Sequence, residues 1–281
     1  MHSRACNRPV WWPVVVVAFV VGMAGAATGG AQEYELYDRF SVALEGSWVD
    51  LGTVIRVDNS ELDRGTELDL ESDLDLDSSK TVPSLSVEWR PWKRHRFGFF
   101  WKDVDRSSTS QALEEIRFGD IVVPVEANVE LGFNISEYGV AYTYVLRPRE
   151  RSSFGFGGGL RVLELSTSLS ARLEGQEEEF YQESDASVTG PLPFLGVEYR
   201  HMFSEKLRLQ ADLGYFYIEV DNIKGGQGLL RTSIEHLTFE HFGFGLGFDA
   251  SRVKLDAEKE SWHGEAELDI YDVRLFLRVR L

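Results

Sequence analysis

The last eleven residues alternate without a break. Tyr271, Val273, Leu275, Leu277, Val279 and Leu281 are apolar, and the positions between them carry Asp272, Arg274, Arg278 and Arg280 around a single Phe276. Strand side chains point to opposite faces in turn, so this run forms a strand with one apolar and one charged face. Other segments repeat the pattern. Leu207, Leu209, Ala211, Leu213, Tyr215 and Tyr217 oppose Arg208, Gln210, Asp212 and Gly214; Tyr138, Val140, Tyr142, Tyr144 and Leu146 oppose Glu137, Gly139, Ala141 and Thr143. Phe242, Phe244, Leu246 and Phe248 alternate with Gly243, Gly245 and Gly247. No segment after the N-terminal stretch shows a 3.6-residue period, which makes the domain all-β.

Composition narrows the medium. The chain of 281 residues carries 29 Lys and Arg against 46 Asp and Glu, a formal charge of −17, the wrong sign for a nucleic-acid binder. With 43% hydrophobic residues it is too apolar for a disordered acidic chain. Beyond the first thirty residues no uncharged stretch reaches the ~18 residues of a membrane helix, whereas a barrel hides its apolar residues in alternation.

Residues 1–31 read as a signal peptide: Arg4 and Arg8, an apolar run from Val10 to Val21, and a small-residue stretch with cleavage sites after Ala26 or Ala31. Cleavage after Ala31 leaves 27 basic and 46 acidic residues, a charge of −19, and removes the sole cysteine, Cys6. Residues 32–281 then form one barrel domain without thiol chemistry.

Ten strands are expected, at 38–57, 81–91, 96–106, 131–147, 152–168, 191–201, 206–221, 235–249, 251–260 and 267–281. Short joints (92–95, 148–151, 202–205 and the Ala250-Ser251 corner) alternate with long ones (58–80, 107–130, 169–190, 221–234 and 261–266). An even strand number with short turns at one end and long loops at the other is the up-and-down antiparallel pattern of transmembrane barrels. A lipocalin-like barrel would turn the same apolar residues inward. The aromatic residues favour lipid outside: Phe40, Trp89, Trp92, Phe97, Tyr144 and Tyr199 gather near the short turns, and Trp48, Trp101, Tyr138, Tyr217 and Tyr271 toward the loops, as two interfacial girdles.

The terminal strand, with Tyr271, Val273, Leu275, Leu277, Val279 and Leu281 on one face, resembles the C-terminal insertion signal of Gram-negative outer-membrane barrels, with Leu281 where those chains usually carry Phe or Trp. Together with the signal peptide, the whole mature chain resembles the small outer-membrane barrels of OmpA, OmpW and opacity type. The resemblance implies the cell outer membrane as location, lipid and lipopolysaccharide as surroundings, and the barrel-assembly machinery as a partner; it implies no activity.

The expected lumen face carries Glu88, Arg90, Glu198, Arg200, Arg208, Asp212, Arg274, Arg278 and Arg280, with Arg147 and Arg252 at the same end. Glu88-Trp89-Arg90 and Glu198-Tyr199-Arg200 repeat one Glu-x-Arg spacing. A salt-bridge network filling the interior is expected, with a narrow basic constriction for small solutes as the alternative; a wide diffusion porin needs ~16 strands or more. The acidic loops 58–80 and 169–190 are expected to be solvated and to contact a surface ligand, with the Leu68, Leu70, Leu74 and Leu76 alternation continuing a strand above the membrane. No cofactor is expected. Asp73-x-Asp75-x-Asp77 opens like a calcium loop, but Ser78 and Ser84 stand at its sixth and twelfth positions, so no metal is assigned there. Catalysis is not expected. A lipid or peptide hydrolase would draw on His236, His241 or His263 near the long loops, with Glu235 or Glu240 beside the first two.

Overall fold

The computed structural model describes residues 36–59, 65–118, 121–147, 151–173, 180–220, 222–258 and 262–281. The segment 1–31 expected as a signal peptide, and the loop positions 60–64 and 174–179, lie outside the described residues.

Thirteen strands and one helical turn follow in order: β1 (Phe40–Asn59), β2 (Leu68–Asp69), α1 (Leu70–Asp73), β3 (Ser79–Trp92), β4 (His95–Gln111), β5 (Ile116–Phe118), β6 (Ile121–Val123), β7 (Asn128–Leu146), β8 (Ser152–Leu173), β9 (Phe180–Ser204), β10 (Leu207–Val220), β11 (Ile223–Phe239), β12 (Phe242–Glu258) and β13 (Trp262–Arg280). Ten of them, β1, β3, β4 and β7 to β13, pair antiparallel with their neighbours, and β13 pairs back onto β1, so the ten stand in a ring. The ten-stranded up-and-down antiparallel barrel read from the alternation is the fold.

Short turns, the first described residues and Leu281 share one rim. Arg39 and Phe40 donate their backbone N–H groups to the carbonyl of Leu281 at 3.1 and 3.0 Å. Toward this rim the ring wears its apolar residues outside: Leu44, Trp89, Phe156, Leu195, Tyr215, Phe244, Leu275 and Leu277 are exposed, while Glu45, Glu198, Arg208, Arg274 and Arg278 are buried inside. The glycines of β12 make that interior possible. A Cβ on Gly245 would sit 2.3 Å from the Phe276 ring, and one on Gly247 2.7 Å from the Arg274 guanidinium.

The strands do not stop at the belt. They run 14 to 25 residues, against the ~9–11 a tilted strand needs to cross a bilayer. Beyond the upper girdle, marked by the cross-strand pair Trp101 and Tyr138 and by Trp48 and Tyr271, polarity changes sides while the pleat continues. On β13 the outward series passes from Tyr271 to Asp269, Glu267 and Glu265, and the inward one from Asp272 to buried Ile270 and Leu268. On β8, exposed Leu160 gives way to Glu164, and buried Arg161 to buried Leu163, Leu165 and Leu169. The barrel is therefore built in two storeys: polar inside and apolar outside below, the reverse above.

The upper storey is filled. Leu68, Leu70, Leu74 and Leu76 from β2, α1 and the turn after it join Ile116, Phe118 and Val123 from the β5–β6 hairpin and the wall residues Leu51, Val104, Phe133, Leu163, Leu169, Val253 and Leu268 in one buried apolar cluster. The expected strand extension is limited to Leu68–Asp69, paired with Ile55 and Val54 of β1; the leucines of 68–76 plug the interior, while Asp73, Asp75 and Asp77 stay exposed. Asp69 caps the helical turn by accepting from the Ser72 N–H.

Several boundaries move. The corner expected at Ala250-Ser251 lies inside β12, the turn falls at Glu240-His241, and residues 223–234 of the expected loop 221–234 pair within β11. The expected loops at 169–190 and 107–130 shorten because β8, β9, β4 and β7 extend through them. At Ala250–Arg252 and along the upper parts of β4, β7, β8 and β9 the polarity inversion mimics an end of alternation, whereas in β11 glycines interrupt it.

Candidate functional site

The lower lumen holds the densest set of charged groups. Its floor is apolar: Leu36 and Tyr37, just before β1, pack with Val145, Met202 and Leu237 at the inward ends of β7, β9 and β11. Tyr37 donates its hydroxyl to Glu198 Oε1 at 3.0 Å, and the Arg200 guanidinium lies 4.5 Å from its ring centroid. Just above, Arg208 meets Asp38 at 2.9 Å and Glu235 at 2.8 Å, and Arg280 reaches Asp38 at 3.5 Å.

The two Glu-x-Arg repeats meet at the next level. Arg200 Nη2 lies 2.9 Å from Glu88 Oε2 and 3.4 Å from Glu198; Arg96 bridges Glu88 at 3.1 Å and Glu198, and Arg278 lies 3.6 Å from Glu88. Arg90 sits lower than the repeat implied, donating to the carbonyls of Tyr37 and Asp38. Asp212 accepts from Gln210 at 2.7 Å beside a cavity of about 180 Å³ that Arg96 and Arg231 also line. Arg274 joins Glu45 and Asp249, which also binds Arg231 at 3.0 Å. The top level pairs Arg161 with Glu137 and Lys102 with Asp272.

The sequence-predicted residues thus share one interior, together with Asp38, Glu45, Arg96, Glu137, Arg161, Arg231, Glu235 and Asp249, which the expected network did not include. Glu45, Arg96, Glu137 and Arg161 lie within strands that the alternation places, whereas Arg231 falls in the expected loop 221–234. Each named guanidinium has an acidic or carbonyl partner within the interior. Buried pairs of this kind hold geometry more than they add stability. Arg252 is not among them: it faces outward in the upper storey, bonded to Asp269 at 2.5 and 2.6 Å. Tyr271, Val273, Leu275, Leu277, Val279 and Leu281 all face outward and are exposed.

The histidines separate. His241 lies in a short turn, donating from Nδ1 to the Arg280 carbonyl (3.2 Å), and His236 points outward against Phe244 while Glu235 points inward. Both therefore sit at the short-turn rim and not near the long loops, and they assemble no site with Glu235. His263 alone of the three stands above the belt, between Asp58 and Asp256, each 3.2 Å away. Partial burial disfavours its imidazolium, but the bonds to these two carboxylates outweigh that and hold its pKa above the ordinary histidine value.

No protein-family model and no curated protein matches the sequence. Among solved structures, the chain is similar to the outer membrane protease OmpT from Escherichia coli, with a TM-score of 0.57 and 9% identity over 92% of this chain and 99% of that one. It also aligns with the translocator domain of the autotransporter NalP from Neisseria meningitidis, at a TM-score of 0.47 and 9% identity over 96% and 95%. At such identity the likeness is one of fold alone.

Proposed function

We propose that the chain is an integral outer-membrane barrel of a Gram-negative cell, exported by its N-terminal segment, with a structural or surface-contacting role. One observation carries this reading: the outward faces are apolar over one belt bounded by aromatic residues, and polar above it. Water cannot be the medium around Leu275, Leu277, Phe244 and Leu195 together, because so large a contiguous apolar surface belongs in lipid. The upper storey then presents Glu164, Glu183, Asp185 and Glu267 to the outside as the surface on which a ligand or lipopolysaccharide would be met. The terminal strand would serve the assembly machinery as the insertion signal.

Solute passage is the weaker reading. Its support is the charged lumen with its cavity of about 180 Å³; against it stand the apolar cluster above and the Tyr37 floor below.

Cysteine labelling on intact cells tests the proposal. A membrane-impermeant maleimide should modify Lys254→Cys on the upper wall and leave Lys206→Cys in a short turn untouched. Labelling of both, or of Lys206→Cys alone, sinks it. In planar bilayers the protein should show no discrete conductance steps, and steady steps would restore the channel reading.

A further inference from the structure

The outer wall of the upper storey carries a ladder of cross-strand pairs between β12 and β13. Arg252 opposes Asp269 and Lys254 opposes Glu267, with Lys254 Nζ 2.7 Å from Glu267. One step higher the rule breaks: Asp256 opposes Glu265, two carboxylates face to face, an arrangement that is destabilising unless a positive group lies between them. His263 is that neighbour, with Nε2 3.2 Å from Asp256 Oδ1.

We propose that Asp256, His263 and Glu265 form a binding site for a divalent transition metal of the Zn²⁺ class, with Asp58 as the residue that orients the histidine. One donor atom from each of the three ligands lies within 4.8 Å of the others. Zinc bonds of ~2.0–2.1 Å in a tetrahedron put donor atoms about 3.3 Å apart, the separation already present between His263 and Asp256. Small rotations of the partly exposed Glu265 side chain bring in the third donor, and water completes the four.

Asp58 supplies what such a histidine requires. Its Oδ2 accepts from His263 Nδ1, while Oδ1 accepts from the Gly65 N–H at 2.8 Å and from Arg56 Nε at 3.2 Å, so the carboxylate is fixed on both sides. A carboxylate on Nδ1 leaves Nε2 as the metal-binding nitrogen and raises its basicity. Charge agrees: Arg56 lies 2.5 Å from Glu265 and Lys224 stands opposite Asp256 while pairing with Glu219, so the carboxylates of Asp58, Asp256, Glu265 and Glu219 against these two cations leave two negative charges for a divalent ion to neutralise. The imidazole donor favours zinc, copper or nickel over calcium and magnesium, which prefer all-oxygen sites. His263 and Glu265 lie on β13 and Asp256 on β12, and Asp58 is on β1, so a bound ion would tie together three strands across the β13–β1 seam.

The test titrates the full chain, folded in detergent micelles, with ZnCl₂ against a chromophoric chelator. One Zn²⁺ per chain is expected, with affinity at least tenfold weaker in His263→Ala and in Asp256→Asn, while heat-modifiable migration shows both variants folded. Asp58→Asn should weaken binding ~10–100-fold without changing stoichiometry. Absence of uptake by the folded chain, uptake unchanged by His263→Ala, or displacement of the Zn²⁺ by equimolar Ca²⁺ would overturn the site; unchanged affinity in Asp58→Asn would overturn the orienting role.

Discussion

Asp269 and Tyr271 are consecutive outward-facing residues of β13, and they face different media: Asp269 is clamped by Arg252 on the polar wall, and Tyr271 stands at the top of the apolar belt. One strand therefore carries both environments on the same face. Leu275→Arg, midway between Tyr271 and Leu281, should cost about 2–4 kcal/mol, as for a charge on the lipid face near the bilayer centre. Ser168→Arg, outward on β8 above the belt, should stay within about 0.5 kcal/mol of the parent. Urea unfolding in lipid vesicles measures both, and equal losses would contradict the two-storey arrangement.

Arg200 is fully buried between Glu88 and Glu198. Replacing it with alanine strands part of that negative charge, and the loss should reach about 3 kcal/mol. Adding Glu88→Gln to Arg200→Met should return some of that stability, a coupling that a double-mutant cycle reads directly. Additive losses would mean that Arg96 and Arg278 alone satisfy Glu88.

Leu74 is wholly buried in the upper cluster. Leu74→Ala should destabilise by about 2–5 kcal/mol and act on the upper storey first. Limited proteolysis should then cut within 65–78 while heat-modifiable migration persists. A variant in which the 58–80 segment is replaced by a short turn should likewise lose the upper core, and not merely a ligand-binding loop.

Gly245 and Gly46 both sit in belt strands, but only the first has neighbours where a methyl would go: the Phe276 ring at 2.3 Å and the Ile234 carbonyl oxygen at 2.5 Å, against nothing within 4 Å for Gly46. Gly245→Ala should lose about 1–3 kcal/mol by overpacking, and Gly46→Ala should be nearly neutral. Refolding yield into micelles ranks them.

The belt was readable because alternation reports which residues share a face. It does not report which medium that face meets. Where the medium changed, as between Ala250 and Arg252, a continuous strand looked like two, and Arg252 was assigned to the lumen. In β11 the glycines 225, 226 and 228 erase the alternation altogether, so the strand read as a loop. The Leu-Asp pattern at 68–77 has the period of a strand, yet its leucines are drawn inward by an apolar interior that exists only once the ring has formed. Asp256 and His263 lie on the consecutive strands β12 and β13, but Asp58 lies 205 residues from His263 in sequence, and only the β1–β13 register brings it beside them.

The pairing of β1 with β13 runs from Ser41 opposite Arg280 to Asn59 opposite Trp262. Until the C-terminal strand is present, the first strand has one edge without its partner, and no earlier segment substitutes for it in the ring order. A nascent or truncated chain is therefore left with two open, adhesive borders. The ring thus depends on its last strand: without β13, the edges of β1 and β12 that it covers would both stay unpaired.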